Sequence, residues 1–499
     1  MWLQLDGEGA LHRQLYRALR AAILDGRLAA GARLPGTRAL ARELGVSRNT
    51  VLQASEQLIA EGYAATTPRS GTFITACAPD GAATPASRSA APTHTPRRTA
   101  AIEPSPSQQR LSEFGRRLET AVAPGRATWS IGRESLPYDF RYGEPSYDDL
   151  PLDTWSRLLG RRARRMSVRR LAYQPPGGAA ELREALAGYL GRARGVVCAP
   201  EQIIVASGSQ QAIDLSARLL VDPGDGVVLE EPHYTGFSFC LNAAGAKLLH
   251  VGVDEQGLRT DELATIDDAR LACVTPSHQF PTGAVLSLPR RIALLDWAAQ
   301  RDAYILEDDY DGEFRFDGNP IECLQALDRG GRVVYTGTAS KLLFPALRIG
   351  WLVAPPQLAP QFLNAKALAD TGTASIEQLA LADFITEGHL ERHARRARNR
   401  TAARRVALLE AIERHFGDRA RVCGASAGLH VLLQLPDVPA RESRRLREAC
   451  RERGVGVYPA APYYARPPEH LELLLGYAAL GEEAIREGIG RLRQALPPQ

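Results

Sequence analysis

The sequence predicts an α/β protein with a small helical unit first, then a linker, then a large body whose mostly parallel sheet is covered by helices on both faces. A smaller α+β part follows. Three observations predict this. Seven short β-rich apolar runs, at 203–205, 227–229, 248–251, 271–274, 304–306, 333–335 and 349–353, alternate with helical patterns such as 178–193 and 287–301. Residues 11–75 carry a helical periodicity of their own. Between these regions, from about 76 to 110, the composition turns to Ala, Pro, Ser and Thr with almost no large apolar side chain, so that stretch cannot repay its ordering entropy with a core. The 499 residues, 44% hydrophobic and 24% charged, supply chain for two or more domains, which we set at 1–75, a linker over 76–129, and 130–499.

In the first unit, Leu11, Leu15, Leu19, Ala22 and Ile23 recur at helical spacing and Gly26 suits a stop. A second helix follows at TRALARELG with Thr37 as N-cap, and a third at SRNTVLQASEQLIAEG with Ser47 as N-cap and Gly62 just past its end. The short Gly-containing connection makes the pair a helix-turn-helix. Next, YAATTPRSGTFIT has two extended runs around a Pro-Arg-Ser-Gly turn, which reads as a hairpin, or wing. Ser47, Arg48, Asn49 and Thr50 open the third helix, placing bidentate-capable side chains where a recognition helix enters a major groove. Arg69 stands at the wing tip, and Arg38 and Arg42 can reach phosphates from outside the groove. Residues 1–75 hold nine Arg against six Asp and Glu, an excess that a solvated three-helix unit explains equally well.

Composition excludes several classes. The net charge of +4 is too small to announce a partner by itself. Seven cysteines lie scattered with no CxxC pair, against a disulfide framework or a zinc site. No run approaches about 18 apolar residues, and the opening MWLQLDGEG lacks the layout of a secretory leader, so we expect a cytoplasmic protein with no membrane partner. His233, His250, His389 and His393 show no metal-ligand spacing, so no metal is expected. The dense basic runs at 161–170 and 391–405 are read as solvated faces or interface pairs.

In the body, ligands of such sheets bind beyond the carboxyl ends of the strands. SGSQQAIDL follows the run at 203–205 and turns into a helix whose free N–H groups can hold a phosphate. EDDYDGEF follows 304–306 and puts Asp308 and Tyr310 on one face. TGTASKLLFPALRIGW follows 333–335 and places Lys341 beyond a strand end, with Thr338, Ser340 and Arg348 nearby. The chain has only three lysines, and Lys247 and Lys366 are read as solvated amines. A reactive lysine, a carboxylate at the next strand end and a phosphate-type helix start match what pyridoxal phosphate requires: an imine, a pyridinium partner and a phosphate cup.

The run GRLAAGARLPGTRALARELGVSRNTVLQASEQLIAEGYAATTPRSGTFI resembles the winged helix-turn-helix of GntR-family bacterial transcription regulators. That resemblance implies that Arg38, Ser47, Arg48, Asn49, Thr50, Arg69, Gly71 and Thr72 face operator DNA. Gly36 and Thr37 stand where the family usually has two small polar residues. From about 130 on, AYQPPGGAAELREALAGYL, IIVASGSQQAIDL, EEPHYTGF, TPSHQFPTG, ILEDDYDGEF and TASKLLFPALRIGW resemble fold type I aminotransferases, and the whole chain is similar to the MocR subfamily of GntR regulators. The resemblance implies that Lys341 carries pyridoxal 5'-phosphate, Asp308 pairs with its pyridine nitrogen, Tyr310 bonds its ring hydroxyl and Tyr234 stacks on the ring. It further assigns Gly208, Ser209, Gln210, Thr338 and Arg348 to the phosphate, His278 to the cofactor-binding set, and Tyr173 to the partner's cofactor across a homodimer interface.

Two departures stand out. Phe280-Pro281-Thr282-Gly283 replaces the enzymes' Asn-Pro-Thr-Gly, and Leu474-Leu475-Gly476-Tyr477-Ala478 lacks the arginine that grips a substrate carboxylate in such enzymes. The expected function is a regulator that binds an operator and senses the cofactor, alone or with an amino compound. The alternative is a working aminotransferase with an accessory DNA-binding module.

Overall fold

The computed structural model describes Leu3 and residues 5–68, 70–75, 111–121, 136–317 and 321–496. The chain divides into two units, Met1–Ser105 and Pro106–Gln499.

The first unit holds α1 (Leu11–Leu24), α2 (Thr37–Leu44), α3 (Arg48–Ala60) and an antiparallel hairpin of β1 (Ala64–Thr67) and β2 (Gly71–Ile74). Leu15, Leu19 and Ile23 from α1 meet Leu40, Val51, Leu58 and Ile74 in one buried cluster, so a single core fixes all three helices and the wing. Gly45, in the left-handed region at φ 68°, ends α2. Ser47 then caps α3, its hydroxyl accepting the Thr50 amide at 3.1 Å, as the sequence implied. Thr37 differs from expectation: Gly36 is the N-cap of α2 and no side chain caps that helix.

In the second unit, α4 (Glu113–Ala121) lies inside the stretch expected as linker. It packs on a later helix: Arg117 Nε donates to Ala243 O at 2.9 Å and Phe114 sits under the Arg218 guanidinium at 5.5 Å. Residues 76–110 and 122–129 of that stretch lie outside the described residues. After β3 (Tyr138–Asp139) come α5 (Leu152–Arg164), α6 (Val168–Leu171) and α7 (Ala180–Arg194). The large sheet is then laid down by β4 (Ile203–Ala206), α8 (Ser209–Leu220), β5 (Gly226–Glu231), α9 (Thr235–Ala244), β6 (Lys247–Asp254), β7 (Gly257–Leu258), β8 (Leu271–Val274), α10 (Leu288–Gln300), β9 (Tyr304–Asp309), β10 (Val333–Thr338) and β11 (Gly350–Val353).

The strand order is β4-β11-β10-β9-β8-β5-β6-β7. The five from β10 to β6 run parallel, while β11 is antiparallel to both β10 and β4. Alternate residues feed opposite faces: Ile203 and Val205 join one buried cluster, Ile204 and Ala206 another. Burial on both faces explains why these strands read as unbroken apolar runs.

The chain continues with α11 (Ala359–Asp370), α12 (Ser375–Thr386), α13 (His389–Phe416), β12 (Arg421–Cys423), β13 (His430–Pro439), α14 (Ser443–Glu452), β14 (Val455–Gly456), β15 (Tyr458–Pro459), β16 (His470–Gly476) and α15 (Glu482–Ala495). Strands β12-β13-β16-β15 form an antiparallel sheet whose Leu433, Leu473 and Leu475 pack against Leu408 and Ile412 of α13 and Ile489 of α15. β14 pairs in parallel with β3, so residues at the start of the body complete its C-terminal part.

Two charged expectations resolve here. Lys366 is not solvated: it is fully buried, and its amine donates to Asp370 at 2.6 Å and to Thr373 at 2.9 Å. The basic runs form ion pairs within the body, with Arg161 and Arg162 both on Asp383 and Arg405 on Asp317. Among the described residues, no helix is long and apolar enough to cross a membrane.

Candidate functional site

The carboxyl ends of β9 and β10 and the turn from β4 into α8 converge on a cavity of about 230 Å³. Of the residues expected there, Lys341, Asp308, Tyr310, Tyr234 and Ser209 line it. Lys341 lies just past β10, and its Nζ donates to Gly143 O at 2.8 Å. Burial lowers the proton affinity of this amine, partly offset by the carboxylates of Asp311 and Asp308.

Asp308 is buried near the end of β9, and burial lifts its carboxyl to about 7, although the Thr336 hydroxyl donates to it at 3.0 Å and pulls the other way. Its neighbour Asp309 points to the opposite face, as strand alternation requires. There Arg194 donates to it at 2.6 and 3.0 Å and the Tyr335 hydroxyl at 2.8 Å, in a buried ion pair.

Tyr310 is held from behind. His278 Nδ1 lies 2.9 Å from the Tyr310 hydroxyl and 3.0 Å from Asp311 Oδ2, while His278 Nε2 is buried with no hydrogen-bond partner. His278 therefore braces the site and does not line the cavity. Gln210 acts similarly, accepting from the Tyr234 hydroxyl at 3.3 Å and donating to Gly236 O at 3.1 Å. Tyr234 also packs edge-on to Phe280, at 5.8 Å between ring centres.

The turn before α8 has the form of an anion cradle. Gly208 is the N-cap at φ 89° and supplies no side-chain cap to the free amides of the first turn. Arg348 Nη2 donates to Ser207 O at 2.6 Å. A Cβ at 208 would stand 2.8 Å from that guanidinium, and the positive φ there favours glycine in any case. Arg348 itself sits at φ 51°, a strained conformation for a non-glycine residue. Thr338 completes this end, its hydroxyl donating to Ser340 Oγ at 3.0 Å.

Tyr173 is 94% exposed and does not line this cavity. The expected arginine position near the C-terminus holds Leu474, fully buried with Phe280, Leu432 and Tyr463. Sequence reasoning missed Arg141, Tyr142, Gly143, Glu144 and His430, all of which line the cavity. Arg141 is 3.3 Å from Asp139 and lies over the Tyr458 ring. The first four fall in FRYGEP, whose Gly-Glu-Pro turn was the available signal, and His430 opens a strand that reads as plain core.

In the first unit, Arg38, Ser47, Arg48 and Asn49 are exposed and Thr50 is half-buried. The Ser47 hydroxyl serves as the α3 cap, with Thr50 Oγ1 also 2.8 Å from it. Thr72 lies 3.3 Å from Thr66 across the hairpin, and Gly71, at φ 116°, leaves room for the Arg33 guanidinium. Arg69 lies outside the described residues.

A half-buried lysine and a buried carboxylate at adjacent strand ends, beside an uncapped helix start, define an aminotransferase-type body, here in one chain with a winged helix-turn-helix. Residues 139–492 match aminotransferase class I and II, and residues 11–74 match the gntR family of bacterial regulatory proteins. The probable rhizopine catabolism regulatory protein MocR of Rhizobium meliloti is 39% identical, over 99% of this chain and 95% of its own length. The HTH-type transcriptional regulator TauR of Rhodobacter capsulatus is 34% identical over 99% of this chain and 98% of its own. The solved structure of LysN, the α-aminoadipate aminotransferase of Thermus thermophilus complexed with N-(5'-phosphopyridoxyl)-L-leucine, is 30% identical with a TM-score of 0.66, covering 72% of this chain and 91% of that one. The chain belongs to the gntR-type transcriptional regulators that carry a class I and II aminotransferase domain.

Proposed function

We propose that this protein binds operator DNA through its winged helix and senses pyridoxal 5'-phosphate, or an amino compound that reacts with it, in the aminotransferase-type body. The observation that carries the reading is the donor set around one cavity: Lys341 with a lowered proton affinity, Asp308 buried at the neighbouring strand end, and an uncapped α8 flanked by Arg348. These residues fit the cofactor chemically. When bound, it supplies an electron-withdrawing ring and an electrophilic carbon to which a lysine amine can attach covalently.

The chain's own groups have separate tasks in this reading. Lys341 is the attachment point, and its lowered proton affinity keeps a larger share of the amine unprotonated and nucleophilic. Asp308, once it faces a ring nitrogen, gives its charge to hold a proton there. Tyr310, oriented by His278, donates to the ring oxygen, and Tyr234 covers the ring face. Gly208, Ser209, Gln210, Thr338 and Arg348 serve the phosphate end. Arg141 is a cation on the cavity wall that can meet the carboxylate of an amino effector, a role Leu474 cannot fill. The exposed Tyr173 suits contact with a second copy in a homodimer, and the protein works in the cytoplasm where its DNA lies.

Working transamination is the second reading, favoured by this same donor set. A coupled assay with a panel of amino donors separates the two. The regulator reading expects turnover well below about 1 s⁻¹ together with operator binding by the full chain. Faster turnover would make catalysis the primary role.

A further inference from the structure

Glu231 at the end of β5 and His233 just beyond it meet His250 of the neighbouring strand β6. Parallel pairing sets Leu229 opposite His250 and Glu231 opposite Gly252, which puts Glu231 and His250 on the same face of the sheet. His250 Nδ1 lies 3.2 Å from Glu231 Oε2, and His233 Nδ1 lies 3.9 Å from the same oxygen. One ligand atom from each residue falls within 4.8 Å of the others. We propose that Glu231, His233 and His250 form a binding site for a divalent transition metal of the zinc class.

Tetrahedral bonds of about 2.0–2.2 Å to nitrogen and oxygen place ligand atoms about 3.3 Å apart; the Glu231–His250 spacing already meets this, and the Glu231–His233 spacing is about 0.6 Å wider. The His233 side chain is 7% exposed and its Nδ1 has no hydrogen-bond partner, a cost that a metal would remove. His250, at 29%, opens the site to solvent and leaves room for a water as fourth ligand.

A supporting layer is present. The other oxygen of Glu231 accepts the Arg466 amide at 2.9 Å, and the His233 amide donates to Tyr463 O at 3.0 Å. Two imidazoles and one carboxylate favour zinc, cobalt or nickel over magnesium or calcium, which prefer oxygen alone. Expecting no metal at His233 and His250 rested on spacing along the chain, which cannot register a pairing between neighbouring strands. The His278, Asp311 and His430 cluster is a different group, of which Asp311 and His430 line the cofactor cavity.

Calorimetric titration of the full-length, metal-stripped protein with Zn²⁺ tests the proposal. One equivalent should bind with Kd of about 1 μM or tighter. His250→Gln, at the solvent edge, and His233→Gln should each weaken binding roughly hundredfold or more, beyond the loss expected from a supporting group alone. His415→Gln, an exposed histidine elsewhere, should change nothing. Co²⁺ should give the visible bands of a tetrahedral site, lost in His250→Gln. Absence of stoichiometric binding, or binding unchanged in both His233→Gln and His250→Gln, would overturn the proposal.

Discussion

Asp308 and Asp309 are neighbours in sequence and opposites in environment, and their substitution should separate two properties. Asp308 forms no ion pair among the described residues, and burial lifts its carboxyl to about 7, against an ordinary 3.8. A folded value above the unfolded one gives stability that is fully present below pH about 4 and is lost as pH rises toward about 7. In cofactor-free protein, Asp308→Asn should therefore raise stability at pH 8 by up to about 4 kcal/mol, with little gain at pH 4. The same variant should bind pyridoxal phosphate more weakly. Thermal melts across pH and a cofactor titration check both halves. Asp309→Asn leaves Arg194 buried without its anion and should cost about 3–5 kcal/mol at neutral pH, which urea unfolding would measure. Lys341→Ala should abolish the absorbance of lysine-bound cofactor, while Lys247→Ala retains it. Lys341 was legible because the chain has three lysines and one of them follows a strand end. Arg141 and His430 were not, because neither stands in a periodic pattern that points at a cavity.

At the scale of elements, the β4–α8 turn and the α2–α3 turn each rest on one local choice. Gly208→Ala puts a Cβ against Arg348 and a side chain at positive φ, at a cost of about 1–3 kcal/mol. It should weaken phosphate-end binding roughly tenfold or more while the circular dichroism of the body stays unchanged. Ser47→Ala removes the α3 cap and should destabilise the winged helix by about 1 kcal/mol, read as a lower first melting transition. The seven strands and the three helices of the first unit were legible because an unbroken apolar run or helical spacing marks each one. Helix α4 was not, since Phe114 and Leu118 are the only large apolar residues in its nine. Nor was the β3–β14 pairing, which joins two-residue strands over 300 positions apart in the chain and leaves no local trace.

For the whole molecule, operator specificity should reside in residues 1–75. Arg48→Ala should lower preference for the operator more than it lowers non-specific binding, whereas Arg38→Ala should weaken both and reduce the salt slope. Two copies reading two half-sites would gain the contact area a single winged helix lacks, so the full chain should sediment as a dimer. The central claim, that cofactor chemistry at Lys341 governs what the winged helix does on DNA, is met most directly by footprinting the operator. The holo wild type and Lys341→Ala would be compared, each with pyridoxal phosphate and a panel of primary amines. Both should protect the operator, and only the wild type should change its protection when an amine is added. An amine response that persists unchanged in Lys341→Ala, or a wild type that leaves the operator unprotected, would contradict it.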